Sequence, residues 1–448
     1  MESSTTVEVL TTESALAPVS EKERIQSIDV LRGIALLGIL LMNIPSFSMP
    51  NYFSESFRSN PGDINFWVRT VIIIFFEGKM RALFSMVFGA GILLFISKKE
   101  KTAMSATWLF YRRMAWLVVF GLIHAHIILW SGDILYSYGL IGMIAFLFRK
   151  AAPKYLVWGV PIVTIIGFFT STQFYQEIRT KRLDYLKVTA EKNAGKKLTA
   201  AQLKILTEWR EIEKEFIPNK QDAVENTRIM KSDYKTIAAK IRKEAWKGQT
   251  TYFLYQISDP LALMLLGIAL FKWGFLTCRW TRKQYIKVAL IGYGIGLPLV
   301  LYDSYYAFYN FPTMAASLAH MDSHPIVWID LIYPAQRIFL VMAHVSVILV
   351  LYKTGVIRSF LNRLAAVGQM AFTNYITHSV VCTLFFYGYG LNQFATFEYY
   401  QIFFVVFAIW IFQLIISPIW LRNFYFGPLE WLWRSLTYWK IQPMKKPA

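Results

Sequence analysis

The apolar residues of this chain run in long blocks separated by short polar breaks. Blocks such as Met114–Trp130 and Ile402–Ile419 reach the roughly 17 residues with which a helix crosses a ~30 Å hydrocarbon core. Spans are predicted at Ile28–Phe47, Arg81–Ile96, Met114–Trp130, Ile134–Phe148, Tyr155–Thr172, Phe253–Phe271, Val288–Tyr302, Leu331–Tyr352, Ala366–Tyr387 and Tyr400–Leu421. All about ten crossings must be helical, because hydrocarbon leaves no backbone group tolerable unpaired. Between the first two lies Ile64–Glu77, apolar but short. Charge placement makes it an outward-facing interfacial or re-entrant helix.

A second pattern interrupts the blocks. Phe174–Thr250 concentrates the charge, and within it Leu203, Leu206, Trp209, Ile212 and Phe216 recur every three or four residues, the period of an amphipathic helix. Thr199 is placed to cap that helix, and breaks are expected near Asn193-Ala194-Gly195 and Pro218-Asn219. The expected fold is an all-α, polytopic transmembrane bundle with an external helical insert. Its organisation reads as a disordered cytoplasmic tail (1–27), an N-terminal membrane bundle (28–173), the charged insert (174–250), a C-terminal membrane bundle (251–422) and a cytoplasmic tail (423–448).

Composition agrees. Of 448 residues 55% are hydrophobic and 17% charged, at a mean hydropathy of +0.39, which removes a soluble enzyme, a nucleic-acid binder and a β-barrel porin from consideration. The net charge of +19 is therefore read against a lipid bilayer, with no nucleic acid as partner. Cys278 and Cys382 are far apart, so neither a disulfide framework nor a metal site is expected. With a cytoplasmic N-terminal tail, the inner segments gather Arg24, Arg32, Arg112, Arg113, Arg149, Lys353 and Arg422, among others, while the short outer loops hold Arg58 beside several acids. The positive-inside rule then places both termini in the cytoplasm of a bacterial inner membrane. Arg69, Lys79 and Arg81, in and beside the disputed stretch, sit on the outer side.

Polar groups inside spans cost a few kcal/mol unless satisfied, so they carry the chemical information. Asp29 and Arg32 are three apart at the inner mouth and either pair or hold an anionic ligand. Asn43, ten residues beyond Gly33 and ~15 Å along the axis, is either interhelical glue or a substrate-orienting amide. His124 reaches mid-membrane, ~16 Å past Arg113, while His126 points to another face. Asp133 either caps the fourth span or orients a histidine. Asn374 and His378 share a face as a proton-handling pair or a satisfied core, and Arg337 needs a partner or an anion. Ser85 and Gly89 make a small-residue face for close helix packing.

Taken together, Arg24-x4-Asp29-x2-Arg32-Gly33 with Asn43, Gly78-Lys79 with Phe84-Ser85 and Phe88-Gly89-x-Gly91, Arg112-Arg113 with Gly121 and His124, Gly132-Asp133-Ile134-Leu135, and Gly368-Gln369-Met370-Ala371-x-Thr373-Asn374-Tyr375 resemble the YeiB-like bacterial membrane proteins, catalogued as domain of unknown function 418. The resemblance covers about residues 24–440, and the charged insert looks like an addition to that family's plan. Through the first span the family is similar to heparan-α-glucosaminide N-acetyltransferase and, more distantly, to membrane acyltransferases of bacterial surface glycans. The resemblance implies transfer of an acyl group from cytoplasmic acyl-CoA to an envelope glycan or lipid acceptor. The acetyltransferase carries a histidine in the loop after the matching Asn, and Ile44–Asp63 here has none. The family often has Gln at the position of His378.

The expected chemistry assigns His124 as base, with Asn43, Asp133, Asn374 and His378 around the reacting centre, and Asp29, Arg32, Arg112 and Arg113 toward acyl-CoA. No metal is invoked. Two other readings stay open. A proton-coupled transporter or flippase would use His124, His378 and Asp133 as a proton path, and a membrane scaffold would act through the insert.

Overall fold

In the computed structural model, residues 24–50, 60–96, 103–217 and 219–447 are described; most of the expected N-terminal tail lies outside them. Among these residues the only pairing of extended backbone is a single bridge, Phe424 to Lys445. The rest of the regular structure is helical. The first half contains α1 (Gln26–Ser48), α2 (Ile64–Phe75), α3 (Lys79–Ile96), α4 (Ala103–His126), α5 (Leu135–Leu147) and α6 (Pro153–Asn193). The insert adds α7 (Ala200–Phe216), α8 (Lys220–Met230) and α9 (Tyr234–Gln249). Then come α10 (Phe253–Gln256), α11 (Ser258–Lys272), α12 (Arg282–Asn310), α13 (Met314–Ser323), α14 (Ile332–Thr354), α15 (Arg358–Gln369), α16 (Ala371–Phe386), α17 (Ile402–Asn423) and α18 (Pro428–Tyr438).

Among the described residues eight helical stretches are long and apolar enough to cross a bilayer, which makes the chain a multi-pass membrane protein. The expected fourth and ninth spans are shorter helices. α5 has 13 residues, and the ninth is broken at Met370 into α15 and α16. The surface is correspondingly inverted, with Trp158, Ile162, Ile165, Ile166 and Phe169 of α6 all exposed where lipid tails would cover them.

Two close crossings organise the bundle. A Cβ on Gly33 would lie 2.1 Å from the Leu364 carbonyl oxygen and one on Gly368 1.9 Å from that of Asp29, so α1 and α15 meet backbone to backbone. Gly89 against Met264 and Gly267 against Met86 do the same for α3 and α11. Without a hydrophobic drive between helices in lipid, such close approach supplies the packing energy. Gly89 thus serves the packing role its spacing suggests, while Ser85 bonds the Tyr138 hydroxyl at 2.6 Å.

The insert folds as its caps dictate. Thr199 and Gln202 form a reciprocal capping box on α7, and Asn219 with Asp222 does so on α8. α6 runs unbroken for 41 residues through the composition boundary at 174, so span and insert share one helix. The insert rests on the end of α4 that bears His126. Arg242 donates to the His126 carbonyl (2.8 Å), the Tyr234 hydroxyl to that of Ile127 (2.8 Å), and His126 Nε2 lies 3.0 Å from Gln249 Oε1. Arg24 and Arg434, near the two termini, flank one cavity at the other end of the bundle.

Candidate functional site

The fully buried imidazole of His124 lies near the end of α4. Its Nδ1 is 2.7 Å from Asp133 Oδ1, and its Nε2 is 2.7 Å from the Ser379 hydroxyl. The Asp133 carboxylate also accepts from the backbone N–H groups of Leu135 (3.1 Å) and Tyr136 (2.9 Å). It therefore performs both tasks the sequence leaves open, capping α5 and orienting a histidine. A carboxylate can only accept, so the network assigns the proton to Nδ1 and leaves Nε2 to receive from Ser379. The result is a Ser379–His124–Asp133 chain gathered from α16, α4 and the turn before α5.

Tyr375, one turn before Ser379, sets its ring edge-on to His124 with centroids 5.1 Å apart. Its hydroxyl faces the Trp130 indole and the Ile134 backbone. The Tyr375 hydroxyl and the Trp130 N–H, both buried, thus face one another in poor hydrogen-bond geometry. Phe47 stacks on Trp130 at 3.8 Å and fixes that indole.

A cavity of about 260 Å³ begins between Arg24, Arg32, Arg113 and Arg434 and ends on Tyr375. Its inner wall is apolar and aromatic, with Phe88, Met114, Leu117, Tyr138 and Phe372. Asp29 and Arg32 pair at 2.8 Å on its rim. The Glu430 carboxylate is turned to the first turn of α16, accepting from the N–H groups of Phe372 (2.6 Å) and Thr373 (3.1 Å). Aromatic rings hold two of the three other guanidiniums. Arg113 lies 3.6 Å from the Trp433 ring and Arg434 4.3 Å from that of Phe426. Burial, then the neighbouring Arg24, pulls Arg434 down to about 10, the signature of a desolvated cation that an anion would stabilise.

Other expected site residues go elsewhere. Arg112 sits 5.8 Å from the Trp439 ring and does not line the cavity. His378 Nε2 is 2.9 Å from Gln413 Oε1, Gln413 donates to the Asn374 carbonyl, and the Asn374 amide donates to Val367 O and Ser417 Oγ, both at 3.1 Å. That network ties α16 to α17, on the neighbouring face of α16 from Tyr375 and Ser379. Asn43 is half-buried on α1, one turn before the Phe47 that stacks on Trp130, and does not line the cavity. Arg337 finds its partner in Asp259, in a two-pronged ion pair that Arg81 flanks at 3.4 Å. Lys79 is buried with its ammonium 2.7 Å from the Ile73 carbonyl, closing the end of α2. No cluster of three or more His, Cys, Asp or Glu side chains suited to a metal occurs among the described residues.

Ser379, Glu430 and Arg434 were not readable as site residues. The available signal was spacing: Ser379 lies four residues after Tyr375, and Arg434 four after Glu430, each pair on one helical face.

A family model described as "Protein of unknown function (DUF418)" matches residues 270–440. The "Uncharacterized protein YxaH" of Bacillus subtilis (strain 168) is 30% identical over 447 residues, 97% of this chain and 99% of the relative. The "Uncharacterized protein YeiB" of Escherichia coli (strain K12) is 26% identical, over 93% and 96% of the two chains. An "Uncharacterized 39.9 kDa protein in amylase 3'region" of Bacillus acidopullulyticus is 25% identical over 96% and 99%. No solved structure matches the chain.

Proposed function

This chain belongs to the DUF418, YeiB-like family of membrane proteins, and on that premise we propose that it is an integral-membrane acyltransferase. It takes an acyl group from acyl-CoA at the end of the bundle where the termini lie and passes it to an envelope glycan or lipid. The orientation is that of the basic residues, with both termini cytoplasmic in a bacterial inner membrane and the insert external.

One observation carries the reading: the cavity joins a cluster of arginines to the aromatic wall that covers a buried His124–Asp133 pair. Arg24, Arg113 and Arg434 suit the phosphates of coenzyme A, since a guanidinium matches phosphate oxygens in geometry and charge. The apolar wall suits the pantetheine arm and the acyl chain. His124, oriented through Nδ1 by Asp133, holds Nε2 ready to take a proton in a site from which water is largely excluded. Asn43, one turn before the Phe47 that stacks on Trp130, is assigned to the acceptor's side of the site.

A proton-coupled transporter or flippase draws on the same buried His124–Asp133 pair. It differs in moving its substrate with no covalent product. The deciding experiment combines binding of acetyl-CoA and palmitoyl-CoA to the purified protein with mass spectrometry of envelope glycans and lipids from cells with and without the chain. Micromolar binding and an acyl group missing from the depleted cells are expected. Neither binding nor any change in acylation would leave the transporter reading in its place.

A further inference from the structure

The geometry points to Ser379 as a nucleophile that carries the acyl group as an ester between donor and acceptor, with the Tyr375 hydroxyl and Trp130 N–H as oxyanion donors. This deepens the acyltransferase reading and rests on it. It turns a direct transfer assisted by a base into two successive transfers through the protein.

Few of the described serines and threonines on these helices bond another side chain, as Ser85 does with Tyr138, Ser417 with Asn374 and Ser379 with His124. A serine or threonine inside a membrane helix ordinarily returns its proton to a carbonyl one turn back. Ser48 bonds Ile44 O (2.8 Å), and Thr377 on α16 itself bonds Thr373 O (2.8 Å). The buried Ser379 hydroxyl instead bonds His124 Nε2 at 2.7 Å. Nucleophile, base and orienting carboxylate are thus in the relation that activates a serine, each bond at 2.7 Å.

Two poorly bonded donors supply the second requirement. A buried hydroxyl or indole N–H without a partner costs about 1–3 kcal/mol. Tyr375 and Trp130, facing one another beside His124 in poor hydrogen-bond geometry, carry part of that cost. A tetrahedral oxyanion would satisfy both. Tyr375 also closes the inner end of the cavity. Its hydroxyl is held only by poorly aligned contacts to the Trp130 indole and the Ile134 backbone, so turning the ring aside to admit a thioester gives up little hydrogen bonding.

The step balances without a further reagent. Ser379 Oγ attacks the thioester carbonyl carbon while His124 Nε2 takes the hydroxyl proton. The carbon–sulfur bond breaks, the thiol leaves with that proton, and the acyl group remains as an ester on Oγ. An acceptor hydroxyl then attacks the ester carbonyl, its proton passes to Nε2 and on to Ser379 Oγ, and the acylated acceptor departs.

The test uses the full chain in detergent micelles and a long-chain alkyl fluorophosphonate, whose phosphorus an activated serine attacks with loss of fluoride. Peptide mass spectrometry of the wild type is expected to place the adduct on Ser379. Ser379→Ala should abolish labelling, and His124→Ala should slow it about 10²-fold or more, as loss of a triad base does elsewhere. His126→Ala should label normally. Adduct formation only at other residues, or labelling of Ser379 at the same rate in His124→Ala, overturns the proposal, and site mapping on the wild type needs no variant to fold. Labelled Ser379 in a protein that binds no acyl-CoA would keep the nucleophile and remove the acyl-CoA donor. Acyl transfer at the normal rate in Ser379→Ala would remove the nucleophile and keep the enzyme.

Discussion

Gly121 and Asp133 touch across the turn between α4 and α5: a Cβ on Gly121 would stand 2.6 Å from Asp133 Oδ2 and 2.3 Å from the Tyr136 nitrogen. The missing side chain is therefore what lets the carboxylate reach His124, one turn further along α4. Gly121→Ala should displace that turn at a cost of about 1–3 kcal/mol, the range for overpacking a tight contact. Activity should fall with the His124–Asp133 bond. The check is a thermal melt beside a product assay, and unchanged values in both would mean the turn is not held as described.

His124→Ala and Asn43→Ala should each lower acyl transfer by roughly 10²-fold or more, the usual scale for losing a base or an oriented polar donor. His126→Ala should retain most activity, because His126 bonds Gln249 of the insert instead. A normal rate for His124→Ala in the product assay would remove it from the mechanism.

Arg113→Gln and Arg434→Gln should weaken acyl-CoA binding about tenfold or more each, because a hydrogen bond to a charged group is worth ~1.5–3 kcal/mol. Arg112→Gln, turned to Trp439 outside the cavity, should bind normally. Equilibrium titration at two salt concentrations measures both, and equal losses at all three positions would show only general attraction to positive charge.

Gly91 lines the cavity with open space where its Cβ would stand. Gly91→Phe should fill the cavity and abolish donor binding while the melting temperature stays within a few degrees of the parent. Binding that survives this substitution would place the donor elsewhere.

For topology, impermeant thiol reagents on a cysteine-free background should label Lys197→Cys from the outside and a C-terminal cysteine only after permeabilisation. Gly195 is a poor label site, since its φ of +75° disfavours any side chain. Lys197 is exposed and close by. Labelling of both from one side would invert the orientation proposed from charge.

Much of the bundle is legible from apolar runs, because lipid permits only one way to satisfy a spanning backbone. His124 and Asp133 are legible for a related reason: polar groups at the ends of apolar runs stand out, and the two-residue step separates His126 from His124. The Asn374 and His378 face is legible too, but its partners Gln413 and Ser417 come from α17 and no spacing announces them. Ser379 is hidden because a serine in a helix normally bonds its own backbone, and only the tertiary approach of α4 shows otherwise. Glu430 and Arg434 lie beyond the last apolar block, where composition suggests a tail. The helical continuity of α6 escapes a reading by composition because helices do not end where charge begins.

That continuity has a mechanical meaning. A 41-residue helix is about 60 Å long, a shaft with one half among the charged helices of the insert and the other packed on α11. α11 in turn grips α3 at Gly89 and Gly267, and α3 supplies Phe88 and Gly91 to the cavity wall. Whatever leans on the insert acts on the cavity wall through one continuous helix, whose Pro161 lies in the apolar half.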